Sequence, residues 1–217
     1  MATPNLITLT DPRSAAAEAY RTLRTNLMFR SVENPIHTLL VTSSAAGEGK
    51  SETLANLAVT FAQSGNKTIL VDGDLRRPTQ HTIWGVENKR GLTTMMLEDT
   101  ALSNPPLVQT DVENLHLLPA GIEPPNPADL LSSKRMNEII GLLKARAAYI
   151  LFDGPPVLAA TDAALLGTKL DGVLLVVRSG QSRRDQTQSA REALENVHAR
   201  VVGAVLTNAP RDNKKAY

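Results

Sequence analysis

The stretch "LLVTSSAAGEGKS", residues 39–51, decides the fold. It begins as an apolar run, turns through small residues, and leads into "ETLANLAVTFAQSG" (52–65), which keeps helical spacing and ends at Gly65. Strand, glycine loop and helix in that order are the setting of a phosphate-binding loop, whose pattern is G-x-x-x-x-G-K-[ST]. Gly49, Lys50 and Ser51 match it, while Ser44 takes the place of the first glycine. Gly47 and Gly49 let the backbone curl until successive N–H groups face an anion, and the helix N-terminus adds its positive end. The binding stretch is then Ala46, Gly47, Glu48, Gly49, Lys50, Ser51 and Glu52. Lys50 reaches the β- and γ-phosphates of a nucleotide, and the Ser51 hydroxyl ligates Mg²⁺.

Around this unit the chain alternates strands and helices. Apolar runs at 37–43, 67–73, 114–120, 149–156, 172–179 and 201–208 read as strands. Helices are expected over 12–30 (Asp11 as N-cap, Pro12 in the first turn), 50–64, 92–98, 127–146, 161–169 and 183–198. Residues 79–113 are less regular, and "MATPNLITLTDP" (1–12) reads as a linker. The strands are runs of Val, Leu and Ile, the mark of a sheet covered on both faces. The fold class is therefore α/β, a doubly wound, mostly parallel sheet with helices on both faces and an N-terminal helical arm. The expected division is an arm at 1–34, a P-loop body at 35–210 and a flexible tail at 211–217.

Composition narrows the function classes. The chain has 217 residues, 42% of them apolar, and a net charge of only +1, which argues against a nucleic-acid partner held by bulk charge. It has no cysteine, so thiolate metal sites and disulfides are excluded. His37, His81, His116 and His198 are scattered without metal-ligand spacing, and no segment approaches the roughly 20 apolar residues of a membrane helix.

Three carboxylates fall at strand ends. "ILVDGDLRRP" (69–78) supplies Asp72 and Asp74, and "YILFDGPP" (149–156) supplies Asp153 in the Walker B arrangement. Ligands of open α/β sheets sit at that edge. The cation that suits such acids is Mg²⁺, which takes oxygen ligands and shares substrate phosphates. An acid near the γ-phosphate can also accept the proton of an attacking hydroxyl. The residues leave open whether Asp74 instead caps its loop and pairs with Arg76 or Arg77.

Together "GEGKS", "VDGDLRRP" (the Walker A′ segment) and "LFDGPP" resemble the catalytic domain of bacterial tyrosine kinases, relatives of the MinD and ParA P-loop ATPases. "EAYRTLRTNL" (18–27) is similar to that family's N-terminal helix, with Glu18, Arg21 and Arg24 in E-x-x-R-x-x-R spacing, and "GIEPPNPADLLSS" (121–133) to its proline-rich turn. The resemblance covers roughly residues 10–210. It implies an autokinase that passes the γ-phosphoryl of Mg-ATP to protein tyrosines and regulates capsule or exopolysaccharide polymerisation and export. Asp72 is then the base, Asp74 and Asp153 join Ser51 at the metal, Lys50 holds phosphate, and Asn208 meets adenine.

The resemblance further implies a homo-oligomeric ring through Glu18, Arg21 and Arg24. It implies a transmembrane chain-length regulator as partner, fused or separate, and a cytoplasmic position at the inner membrane face. At 100° per residue, Glu18, Arg21 and Arg24 centre about 125° from the Tyr20/Leu23/Leu27 stripe, so one face can dock inward while the other meets a neighbour. The family usually ends in a tyrosine cluster, whereas this sequence has Tyr217 alone at its last position, the candidate phosphoacceptor. A MinD/ParA-like ATPase switch is the alternative. Its members generally carry an extra lysine early in the loop, where this chain has Ser44-Ala45-Ala46.

Overall fold

The computed structural model describes residues 4–30 and 34–209. From the N-terminus run α1 (Ile7–Thr10), α2 (Ala15–Arg30), β1 (Thr38–Ser43), α3 (Lys50–Gln63) and β2 (Thr68–Asp72). Then come α4 (Gln80–Trp84), α5 (Leu92–Leu97), α6 (Thr100–Ser103), β3 (Val108–Gln109) and β4 (Leu115–Leu118). The second half holds α7 (Pro127–Ser132), α8 (Lys134–Lys144), β5 (Tyr149–Asp153), α9 (Asp162–Gly167), β6 (Gly172–Arg178), α10 (Arg184–Asn196) and β7 (Val201–Thr207). The strands form one sheet in the order β3-β4-β2-β5-β1-β6-β7, parallel except for the β3–β4 pair.

Within each central strand successive side chains enter different cores, because the strand period is two. Leu40, Ile69, Val71, Ile150 and Phe152 pack with Met95, Ile139 and Leu166 from α5, α8 and α9. Leu39, Val41, Leu70 and Leu151 pack on the opposite face with Leu54, Leu57 and Phe61 of α3 and Leu27 of α2. Both faces are apolar, which is why the runs carry no alternation of polarity. Each fully buried Leu or Phe adds roughly 1.5–3 kcal/mol, and truncating Phe152 to Ala would cost about 3–5 kcal/mol.

Several expected boundaries move. The segment read as a linker contains α1, and it docks: Leu6 is buried, and the Thr8 N–H and hydroxyl both donate to Asn56 Oδ1 on α3. A four-residue helix held by one tertiary anchor leaves no periodic signal. Asp11 is not the cap of α2. The helix starts at Ala15, where Ser14 Oγ accepts the Ala17 N–H, because the chain first has to turn out of α1. The helix expected over 127–146 breaks at Ser133, which takes an extended conformation and accepts the Met136 N–H on its hydroxyl. Such local side-chain bonds compete with helix continuation. The strand expected over 149–156 stops at Asp153.

The register then assembles the edge that matters. Asp72 at the end of β2 lies opposite Asp153 at the end of β5, and β5 pairs with β1, which feeds the loop at 44–49. Among the described residues, no helix is long and apolar enough to cross a membrane.

Candidate phosphate and metal site

Gly47 and Gly49 sit at φ of 80° and 87°, the left-handed region that admits glycine freely, and Gly49 leads directly into α3. The loop is braced from behind. Ser44, standing where the pattern has glycine, donates its hydroxyl to the buried Glu48 carboxylate at 2.9 Å. Glu48 also accepts the Ala45 N–H at 2.9 Å and the Ser182 hydroxyl. Arg178 Nη1 donates to Gly47 O at 3.0 Å, and Thr207 Oγ1 to Glu48 O at 3.1 Å. The Glu48 side chain therefore turns into the protein and shapes the loop.

Ala46, Gly47, Gly49, Lys50, Ser51 and Glu52 line a cavity of about 830 Å³, joined by Asp74, Arg77, Thr79 and the N-terminal Pro4–Leu6. A larger cavity of about 970 Å³ lies beside α10 and β7, with Arg30, Arg184 and Arg191 on its wall. Neither the phosphate loop nor a strand-end acid reaches it, so chemistry rather than size identifies the site.

At the wall of the smaller cavity Lys50 gathers two acids, Asp74 from the lining and Asp153 buried behind it. Its Nζ lies 3.2 Å from Asp74 Oδ2, 3.4 Å from Asp153 Oδ1 and 3.1 Å from Ser51 Oγ. Burial opposes the ammonium charge, but Asp153 and Asp74 outweigh it and hold the Lys50 pKa above its ordinary value. Burial also raises Asp153, only partly offset by Lys50 and by bonds from Ser51 and Gln80. Both partners can shift upward because Lys50 keeps a little solvent contact and Asp153 has none.

Asp72 differs from its neighbours. Its Oδ2 accepts the N–H groups of Thr79 and Gln80 at 3.0 and 2.9 Å, while its Oδ1 is buried with no partner among the described residues. Burial, then the nearby Asp153, push its pKa well up. The Asp74 and Asp153 carboxylates and the Ser51 hydroxyl are hard oxygen donors of the kind magnesium takes. Among the described residues no group of three or more acids or histidines is arranged to hold a metal ion by itself.

Other expected residues fall elsewhere. Arg76 is taken by Asp162, through Nε–Oδ2 at 2.8 Å and Nη2–Oδ1 at 3.0 Å. Asp74 caps its loop by accepting the Arg77 N–H at 3.0 Å, and among the described residues its ion pair is with Lys50 and not with Arg76 or Arg77. Asn208 lines a separate cavity of about 390 Å³ with Ala15, Ala19 and Tyr20, one residue beyond the Thr207 brace. On α2, Glu18 pairs with Arg21 at 2.7 Å in the exposed layer, but Arg24 Nη1 donates to Thr60 O of the chain's own α3. Tyr20 is half-buried, and Tyr149 packs at a tilt against Phe61 with 4.4 Å between centroids. Tyr217 lies outside the described residues.

Sequence reasoning passed over Gln80. Its side chain is fully buried and donates to Asp153 Oδ2 and Ser51 O. No motif flagged a lone glutamine.

Known proteins give this geometry a context. The model of an AAA domain matches residues 37–199. Tyrosine-protein kinase YwqD of Bacillus subtilis is 44% identical over 216 residues, covering 98% of this chain and 90% of that one. Tyrosine-protein kinase wzc of Salmonella typhi is 31% identical and covers 94% of this chain, but only 28% of its own length is matched. The crystal structure of the chimerical protein CapA2B2 superposes with a TM-score of 0.90 at 35% identity, covering 95% of this chain and 90% of that chain. Likeness of this extent runs through the phosphate loop, both acidic strand ends and the N-terminal helix alike, and the chain belongs to the bacterial tyrosine-protein kinases, on the P-loop fold they share with MinD.

Proposed function

We propose that the chain transfers the γ-phosphoryl group of ATP to tyrosine hydroxyls of protein substrates. The observation that carries this reading is Asp72 Oδ1, a buried carboxylate oxygen without a partner beside the Lys50 cluster. A general base needs such an oxygen, and a raised pKa strengthens its hold on the abstracted proton. Lys50 holds the β/γ-phosphates as the backbone of 46–51 cradles them. Ser51, Asp74 and Asp153 would hold Mg²⁺, which when bound supplies charge neutralisation on the phosphate oxygens. Asp72 takes the tyrosine proton as the phenolic oxygen forms its bond to the γ-phosphorus, and the bond to the β,γ-bridging oxygen breaks to leave ADP. Asn208 is assigned to the adenine end, across Thr207 from the loop.

The exposed Glu18–Arg21 pair on α2 is assigned to contact with a second copy in a ring, with Arg24 anchoring the helix to α3. The division of labour follows: residues 1–34 assemble, 35–210 catalyse, and 211–217 present Tyr217. The partner is a transmembrane chain-length regulator that brings the kinase to the inner membrane face during capsule or exopolysaccharide synthesis. The partial coverage of wzc supports a kinase unit that occurs within longer chains.

Incubation with γ-labelled ATP and Mg²⁺, followed by phosphoamino-acid analysis, tests the chemistry. Phosphotyrosine that disappears in Lys50→Met is expected. Free phosphate without phosphotyrosine would instead support an ATPase switch. Labelling of Tyr217→Phe at full strength would move the acceptor to another tyrosine or another protein. A solution mass that stays monomeric with and without ATP would remove the ring.

A further inference from the structure

Gln80 begins α4, and its amide is saturated. Nε2 donates to Asp153 Oδ2 at 2.8 Å and to Ser51 O at 3.0 Å, while Oε1 accepts from Trp84 Nε1 at 3.3 Å. An indole N–H only donates, and a carboxylate and a peptide carbonyl only accept. The amide therefore has a single orientation that satisfies all three neighbours, and Trp84 sets it. The Gln80 backbone N–H meanwhile donates to Asp72 Oδ2. One residue thus touches the start of α3, the end of β2 and the end of β5, the three segments that bring the proposed metal and phosphate groups together.

The effect on Asp153 is specific. Its Oδ2 is occupied by Gln80, and its Oδ1 faces Lys50. With one oxygen held, the carboxylate cannot rotate about its last bond, so the second oxygen keeps its direction. The bond to Ser51 O fixes the turn of backbone that carries the Ser51 hydroxyl. A buried polar network pins geometry in this way when every member is satisfied, and the groups behind metal ligands tune affinity through orientation.

We infer that Gln80 is a positioning residue for the magnesium site, holding Asp153 and Ser51 in register, and that Trp84 acts through Gln80 by fixing its amide. The inference rests on the Mg-nucleotide reading of the cavity and adds to it a residue that bears no charge and lines none of the phosphate loop. Trp84 is the chain's only tryptophan, so its emission reports on this network directly.

The test is calorimetric binding of ADP to the full chain in EDTA and across a magnesium titration, with tryptophan emission followed in parallel. The wild type is expected to gain ADP affinity on adding magnesium and to change its emission as it does so. Gln80→Met, similar in volume but without donors, should keep its EDTA affinity within about twofold. Its magnesium concentration for half the affinity gain should rise about tenfold, the range seen for residues behind metal ligands. Trp84→Phe should raise that concentration by a smaller factor and add nothing in the Gln80→Met background. An unchanged magnesium midpoint in Gln80→Met, or equal losses with and without magnesium, overturns the inference and leaves Gln80 a packing residue. If Gln80→Met does not fold, Trp84→Phe decides alone: an unshifted midpoint overturns it. A wild type without any magnesium-dependent gain defeats the reading of the cavity itself, and the inference falls with it.

Discussion

Two aspartates at opposite edges of the sheet each accept two consecutive backbone N–H groups on one oxygen, and their pKa values shift in opposite directions. At the amino edge Asp171 Oδ2 accepts the N–H groups of His37 and Thr38 at 2.9 and 2.8 Å, just ahead of β1. At the carboxyl edge Asp72 Oδ2 accepts those of Thr79 and Gln80. Burial pushes Asp171 up, but its donors and Lys144, 3.6 Å away, outweigh it and leave the pKa below the ordinary 3.8. Asp72 has no solvent contact, a second acid beside it and a bare oxygen, and its pKa rises well above 3.8. Donors lower a carboxylate's pKa only where burial and a neighbouring like charge do not outweigh them. The amino edge is arranged for stability, whereas the carboxyl edge keeps a charge that works against folding, as functional sites do.

The sharpest way to break this comparison is Asp72→Asn. Asparagine preserves the acceptor for Thr79 and Gln80 but cannot take a proton from tyrosine. Phosphotyrosine formation should fall about 1,000-fold, within the range for loss of a general base. A rate within a factor of ten of the wild type, measured at saturating Mg-ATP, would remove Asp72 as the base.

A second buried acid supplies the control. Asp162, at the start of α9, is as buried as Asp72, but both its oxygens are taken by Arg76, whose own side chain is 45% exposed. Arg76→Met leaves that charge buried alone and should cost about 3 kcal/mol in urea unfolding. Asp162→Asn should cost less, since the arginine left behind is already half in water. Equal losses from the two would mean the pair acts through shape and not charge.

How far the sequence reached follows the same physics. Six of the seven strands, the phosphate loop and the positions of the three acids were legible because each is local, an apolar run, a glycine spacing or a carboxylate following an apolar run, whereas the two-residue edge strand β3 carries no such run. Arg76 was visible as a cation but its partner was not, because Asp162 lies 86 residues further on. Gln80 was silent because an amide matters only through what surrounds it. The turn of helix at 7–10 escaped because Thr8 is held by Asn56 in another element rather than by its own periodicity.

The next effect is one of stability. Asp72→Asn should stabilise the fold by roughly 1–3 kcal/mol at neutral pH, since it removes a buried charge with an unpaired oxygen. An acid whose pKa is raised on folding binds its proton to higher pH in the native state than in the unfolded chain. Wild-type stability is therefore lost as pH climbs above 3.8 through the folded value. The gain in Asp72→Asn should be near zero at pH 3.5 and grow toward neutrality, read from urea midpoints. A constant gain across that range would assign it to hydrogen bonding alone.

The smallest effect belongs to the amino edge and carries the opposite sign. Asp171→Asn keeps an acceptor for Thr38 and His37 but loses the charge that strengthens both bonds and attracts Lys144. With the side chain 27% exposed, the cost at pH 7 should be about 1 kcal/mol. Here the folded pKa is lowered, so the ionised carboxylate favours the native state. Its contribution is complete above 3.8 and disappears as pH falls below that value through the folded pKa. Urea midpoints of Asp171→Asn should lie below wild type at pH 7 and rejoin it as pH falls below 3.8, whereas those of Asp72→Asn should lie above wild type at pH 7 and rejoin it in acid, so the two differences carry opposite signs. If the two substitutions changed stability at pH 7 in the same direction, charge and burial would not be what separates the edges, and the bare oxygen of Asp72 would lose its claim to function.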